Sequence, residues 1–374
     1  MTPLKSTLAK IARRSLCAGY GALHEAGIYR SAPPPIAYVI EKADWSIKWD
    51  GHYYKKGIEA RHPGSVSISA NPEKIFNRIA HFGSQFIWGL WSEFFSRSNR
   101  TVVTYYHGKR EDGPEMARHI DEFLSSLHRL DRVVTAASPV ERRLLEWGVP
   151  PDKLVRSPLG VDTALFHPPN GEERQEVRAR LGVPKDSLCI GSFQKDGVGW
   201  GQGLEPKLIK GPDVFVEAAV RLARNFPVFA LLTGPARGYV MRGLEKHGVP
   251  YRHIFLEDYP SVAECYRALD VYLVTSREEG GPKALLESMA SGAPIVSTRV
   301  GMAEDVITDG ENGALAEVDD VEGIVKRAAE LLSDSELAEA FKAKGRAQAE
   351  RYDWNEAALH LYDKVYKDLI NAGE

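Results

Sequence analysis

Short apolar runs, set apart by turns and by stretches of helical periodicity, recur in two series along this chain. In the first half, β-rich runs at 36–40, 65–69, 101–106 and 132–136 alternate with helical patterns at 72–79, 114–127 and 139–147. In the second half, runs at 188–193, 228–233, 253–256, 271–275 and 294–297 are each followed by a turn and usually by a helical segment. Such alternation predicts parallel sheets covered by helices. The turn residues from Pro158 to Asp162, followed by Pro168-Pro169-Asn170-Gly171, predict a linker between two such units. The expected architecture is α/β, with two Rossmann-like doubly wound domains facing each other across a cleft and ligands at the carboxyl ends of the strands. The expected boundaries are 1–34 for a basic N-terminal segment, 35–168 for the first domain, 169–353 for the second and 354–374 for a C-terminal helix.

Two stretches stand outside this alternation. Residues 81–97 are rich in Phe82, Phe86, Ile87, Trp88, Leu90, Trp91, Phe94 and Phe95, yet the run is too short to span a bilayer and carries Glu93. It reads as a helix buried in the first domain, with dipping into a membrane as the alternative. Near the start, Leu4, Leu8, Ile11 and Leu16 fall at near-helical spacing with Lys5, Lys10, Arg13 and Arg14 between them. That pattern fits a solvated helix packed on its own domain or a surface anchor for anionic lipid.

Composition narrows the function classes. With 374 residues, 43% hydrophobic and 26% charged, the chain is too apolar for disorder and long enough for two cores. The net charge of −3 argues against a nucleic-acid partner. It also conceals an asymmetry: through Pro169 there are 23 Lys and Arg against 17 Asp and Glu, a net +6, and the remainder carries −9. Five of the basic residues, Lys5, Lys10, Arg13, Arg14 and Arg30, precede the proline run at 33–35. Cys17, Cys189 and Cys265 lie far apart with neither disulfide-framework nor metal-ligand spacing. The expected setting is a reducing cytoplasm, with peripheral contact at the inner face of an anionic membrane. No bound metal is expected.

The most informative motif is Ser276-Arg277-Glu278-Glu279-Gly280-Gly281-Pro282-Lys283, followed by Ala284-Leu285-Leu286-Glu287. A strand ends, two glycines turn, and a helix starts near Pro282, a residue favoured in the first helical turn. Free backbone N–H groups and the helix dipole suit an anion there. Glu279 sits in the loop and Glu287 about a turn and a half into the helix, so both can face one ligand, and carboxylates accept hydrogen bonds from vicinal hydroxyls. By itself the motif also fits an ordinary helix start with an acidic first turn.

Together with the rest of the chain, the Glu279-x(7)-Glu287 pair followed by Ser288-Met289-Ala290-Ser291-Gly292-Ala293-Pro294 resembles the signature of the retaining nucleotide-sugar glycosyltransferases of GT-B type, glycosyltransferase family four (group 1). Pro158-Leu159-Gly160-Val161-Asp162, Arg267-Ala268-Leu269-Asp270-Val271, Val300-Gly301-Met302-Ala303-Glu304 and Tyr352-Asp353-Trp354-Asn355 are similar to its other ordered motifs. The resemblance implies a GT-B enzyme with the acceptor domain first and the donor domain second. By that resemblance it would move a sugar from a nucleotide diphosphate, UDP- or GDP-linked, to an acceptor hydroxyl of a glycan, lipid-linked or small-molecule acceptor in cell-surface polysaccharide or glycoconjugate synthesis. No further cofactor is implied. Glu279 would bind hydroxyls of the donor sugar and Glu287 the ribose, while the Gly280 and Gly281 amides and Pro282 border the sugar and diphosphate. The final helix would cross back onto the first domain. Lys210-Gly211 matches the family's second diphosphate-binding position. The first departs from the pattern: Gly191-Ser192-Phe193-Gln194-Lys195 lacks the usual arginine and precedes an insertion with Gly197, Gly199, Gly201 and Gly203. Lys195 takes that role in this reading, and Arg237 is a structural or peripheral cation.

His107, after the 101–106 run, matches a histidine near the donor sugar and acceptor, so Glu279, His107 and Lys210 form the expected catalytic set. Lys109 and Arg110 beside it suit either an anionic acceptor or a solvated turn. The family's glycine-rich turn after the first strand is replaced by a stretch containing Trp45 and Trp49, which fit sugar stacking and plain packing equally well. A sugar-nucleotide epimerase, a phosphorylase or a non-catalytic sugar-nucleotide-binding protein would use the same scaffold.

Overall fold

The computed structural model describes residues 3–31, 34–41 and 46–371. Packing divides the chain into two units, one running up to Leu159 and resuming at Trp354, the other Gly160–Asp353. The first division thus falls ahead of the Pro168-Pro169 linker.

The first unit is built on a fully parallel sheet of β1 (Ile36–Val39), β2 (Val66–Ser69), β3 (Ile79–Phe82), β4 (Arg100–Thr104), β5 (Arg132–Thr135) and β6 (Leu154–Arg156), in the order β2-β1-β3-β4-β5-β6. Its helices include α1 (Pro3–Glu25), α2 (Ser46–Glu59), α3 (Gln85–Trp91), α4 (Pro114–Ser125) and α5 (Ser138–Glu146). Two expectations are corrected here. The 72–79 stretch holds only a single 3-10 turn, Pro72–Lys74, before β3 begins. The aromatic run at 81–97 starts inside β3, and α3 covers only Gln85–Trp91, its start fixed by Ser84, which caps it by accepting the Phe86 amide. His81 masked the strand. Its imidazole lies fully buried mid-sheet, bonded to Thr104 Oγ1 at 2.8 Å and to the Tyr366 hydroxyl, 285 residues away. Burial pushes its pKa down to about 3, so it sits there neutral.

The second unit begins with α6 (Gly171–Arg180) and β7 (Leu188–Phe193). It continues through α7 (Pro212–Leu222), β8 (Val228–Thr233), α8 (Gly238–Lys246), β9 (Tyr251–Ile254), α9 (Val262–Arg267), β10 (Val271–Val274) and α10 (Lys283–Ala290). β11 (Ile295–Thr298), α11 (Ala303–Val306), β12 (Ala314–Ala316), α12 (Val321–Ser333) and α13 (Ser335–Glu350) complete it. The strand order is β12-β11-β10-β7-β8-β9, again parallel throughout. Numbered within the unit this is 3-2-1-4-5-6, the order of dinucleotide-binding domains, and it reverses between β7 and β10. Phe215, Leu232, Leu273, Val296 and Ile324 are among the side chains forming its core.

From Trp354 the chain is again part of the first unit, as α14 (Trp354–Leu361), a wider π turn at Tyr362–Tyr366 and α15 (Lys367–Asn371). The Trp354 ring stacks on Tyr53 with centroids 5.1 Å apart. Gly57 lets α2 meet α14 closely, since a Cβ there would lie 2.5 Å from that of Ala358.

Candidate functional site

The loop after β10 is fixed from both sides by backbone that admits no side chain. Gly211 has φ +60°, and a Cβ on it would lie 1.8 Å from the Thr275 carbonyl oxygen. The Thr275 hydroxyl donates to Gly211 O at 2.9 Å, and the Arg277 amide donates to Ile209 O at 2.8 Å. Arg277 spans the same seam through both carboxylate oxygens of Asp213. On the far side Gly301, φ +50°, lies against the loop, where a Cβ would meet Gly280 O at 2.6 Å and Glu279 O at 2.8 Å. The Thr298 hydroxyl donates to Ser276 O at 2.6 Å. Two loops from separate strands are thereby held in register.

That register brings Lys210 Nζ to 2.6 Å from Glu279 Oε1, which also accepts the Ser276 hydroxyl at 2.8 Å. The two charged side chains are only 17% and 11% exposed, so water screens the pair weakly and each offsets much of the other's desolvation. Glu287 on α10 is held separately: it is 5% exposed and accepts from Tyr266 OH at 2.9 Å and from Tyr259 OH. Gly280 is buried, Gly281 and Pro282 are half-buried, and α10 starts at Lys283 directly after Pro282.

The glycine-rich insertion explains how lysines reach this site. The Lys207 amide donates to Asp196 O at 2.7 Å, Val198 to Glu205 O at 2.9 Å, and Gly197 pairs with Pro206. The insertion is therefore closed at its root, with Lys195 and Lys207 on its two sides. Gly197 and Gly203 lie against Ala236, where a Cβ on either would meet the Ala236 carbonyl oxygen at 2.3 or 2.1 Å. Burial and the neighbouring Lys210 and Lys195 push the Lys207 ammonium below its ordinary value, while Glu279 opposes them. Lys195, also lowered by burial, lies 4.0 Å over the Trp200 ring. Lys207, Tyr259 and Tyr266 are members of this neighbourhood that the motif reading missed. For Lys207 the available signal was its place three residues before Lys210 at the end of the insertion.

Arg237 is fully buried. It donates to the carbonyls of Ser192, Gln194 and Thr233 and pairs with Asp196 at 3.1 Å, which makes it a clamp beneath the insertion. His107 belongs to the first unit. Its carbonyl accepts Gln85 Nε2 at 3.0 Å, and Gln85 Oε1 accepts the Tyr106 amide, so α3 positions the chain that leaves β4. Arg110 is engaged by Asp121 at 2.7 Å, and Trp49 lies on α2 with its ring near His52 and Tyr53. Trp45 lies outside the described residues. Among the described residues, no group of three or more His, Cys, Asp or Glu is placed to hold a metal ion, and no helix is long and apolar enough to cross a membrane.

Two parallel Rossmann-like sheets in one chain, each covered by helices, are the architecture of the GT-B glycosyltransferases. The model of the glycosyl transferases group 1 family matches residues 204–348. D-inositol 3-phosphate glycosyltransferase of Acidothermus cellulolyticus is 31% identical over 330 residues, 83% of this chain and 69% of that protein. The chain belongs to the glycosyl transferases group 1 family. The lipopolysaccharide core biosynthesis mannosyltransferase LpsB of Rhizobium meliloti is 28% identical over 221 residues, 56% of this chain and 60% of LpsB. Against six further D-inositol 3-phosphate glycosyltransferases the chain spans 50–64% of the relative's length. Among solved structures, Anabaena Alr3699/HepE in complex with UDP and glucose superposes with a TM-score of 0.72 at 15% identity, covering 88% of this chain and 98% of that one.

Proposed function

We propose that the protein is a retaining glycosyltransferase of family four that moves a sugar from a nucleoside diphosphate to an acceptor hydroxyl. The observation that carries this reading is the Lys210–Glu279 pair at the ends of two loops locked together beside the strand-order reversal. Lys195, Lys207 and Lys210 supply positive charge for a diphosphate, and the α10 start adds backbone N–H groups. Glu279 accepts sugar hydroxyls as the diphosphate draws Lys210 away, and Glu287, oriented by Tyr259 and Tyr266, accepts the ribose hydroxyls. The solved neighbour that binds UDP and glucose supports a UDP-sugar donor, with a GDP-sugar as the alternative.

In the reaction the bond between the anomeric carbon and the diphosphate oxygen breaks, with its electrons leaving on the diphosphate. The acceptor oxygen bonds to the same face of that carbon, and its proton passes to the departing phosphate oxygen. Stabilising the leaving diphosphate is the main electrostatic demand, and the lysines meet it. His107 contacts the reacting sugar or acceptor in this reading. Incubation with UDP- and GDP-sugars and a panel of hydroxyl acceptors, read by mass spectrometry, tests it. A new glycosidic product with equimolar nucleoside diphosphate is expected, whereas an isomerised sugar nucleotide, a sugar phosphate or no turnover would overturn it.

A further inference from the structure

Helix α1 docks on the first unit by one face and turns a different, apolar face to solvent. Ala9, Arg13, Cys17, Tyr20, Gly21 and His24 are half-buried and share one side of the helix at its 100° step per residue. His24 stacks on Phe76 with centroids 4.4 Å apart, and Lys74 Nζ lies 5.4 Å over the Tyr20 ring, which fixes the rotation of the helix. Away from that side lie Leu8, Ile11, Leu16 and Leu23, exposed by 58%, 55%, 46% and 41%. A helix serving only its own domain turns such residues inward. Here the small, aromatic and basic side is docked and the aliphatic side is left in water.

Charge adds a second, independent observation. The helix sequence has four bases, Lys5, Lys10, Arg13 and Arg14, against one acid, Glu25. A groove beside α1, where Arg14 faces the acids Glu25 and Glu73, shares Ser96 with a cavity of about 500 Å³ in which positive charge gathers, lined by Arg97, Arg100, His128, Arg129 and Lys153. The acid in that lining, Asp131, is tied to Arg100 at 3.3 Å and to the Thr101 amide at 2.7 Å. Burial, and to a lesser degree the nearby Arg97, hold the Arg129 guanidinium below its ordinary value. An aliphatic stripe bordered by concentrated positive charge complements a layer of negative headgroups over a hydrocarbon interior.

We propose that α1 lies in the plane of an anionic bilayer surface, with Leu8, Ile11, Leu16 and Leu23 below the headgroups and the Arg97–Arg129 cavity taking a lipid phosphate. This goes beyond sugar transfer and does not depend on it. The test is co-sedimentation of the full chain with vesicles of equal parts phosphatidylglycerol and phosphatidylcholine, against vesicles of phosphatidylcholine alone. The wild type should partition to the anionic vesicles and be released by high salt. Leu8→Asp/Ile11→Asp should weaken partitioning about tenfold or more, and Arg97→Ala about fivefold. Leu145→Asp, an exposed leucine on α5, should change nothing, and unchanged unfolding temperatures would show that the variants fold. Wild-type chain that stays in the supernatant, or a Leu8→Asp/Ile11→Asp chain that binds as tightly as wild type, overturns the proposal. So does a solution dimer broken by that double variant without vesicle binding, since the stripe would then face a second copy.

Discussion

The two sheets share parallel pairing and helical cover but differ in strand order and in what they bury. In the first unit the order reverses between β1 and β3, and the groups buried near it are mostly neutral: His81, Gln85, Tyr106 and Tyr366, with Asp50 accepting the Tyr106 hydroxyl at 2.9 Å. In the second unit the order reverses between β7 and β10, and charges are set there. Asp196 and Arg237 are buried as a pair, Lys210 faces Glu279, and Lys195 and Lys207 flank the root of the insertion. A scaffold fixes where a ligand crevice forms, and the charges fix which ligand suits it. A departing diphosphate needs cations held in place before the bond breaks, and the second unit has them.

Ways to break this contrast can be ordered by expected size. Arg237→Leu leaves Asp196 buried without its partner and should cost about 3–5 kcal/mol in denaturant unfolding. A loss under about 1 kcal/mol would mean that the buried charges do not hold the insertion. Lys210→Ala should slow sugar transfer about 100-fold, or about 2.7 kcal/mol in the barrier, with the loss seen in kcat as well as in donor KM. The neutral network of the first unit gives a pH signature instead. His81 has its folded pKa depressed to about 3, so the unfolded chain binds the proton first. The stability it contributes is present above about pH 6.5 and is lost as pH falls toward 3, about 2 kcal/mol of it by pH 5. His81→Gln should flatten that part of the pH–stability curve, and an unchanged slope would place the acid sensitivity elsewhere. Lys207→Ala, the smallest effect, should weaken nucleoside diphosphate binding about tenfold, roughly 1.4 kcal/mol.

The strands of the second unit were legible because each central strand is a continuous apolar run bounded by turns. β7 and β8 occupy the predicted 188–193 and 228–233. β12 was missed because Ala314-Leu315-Ala316 is too short to show a period. β3 was missed because His81 broke the apolar pattern, and its polar partners Thr104 and Tyr366 come from distant parts of the chain. The same limit governs the site. Glu279, Glu287 and Lys210 stand in motifs with fixed local spacing. Lys207 gains its place only when the Lys207–Asp196 backbone bond closes the insertion, and Tyr259 and Tyr266 gain theirs only when α9 packs near α10.

The most direct test of the central claim is calorimetric titration of UDP and GDP into the wild type, Lys210→Ala and His107→Ala. If the second unit carries the diphosphate through Lys210, one of the two nucleotides binds the wild type. Its Kd then rises about tenfold or more in Lys210→Ala and stays within about twofold in His107→Ala. Equal affinity in wild type and Lys210→Ala, or no binding of either nucleotide to the wild type, would contradict it.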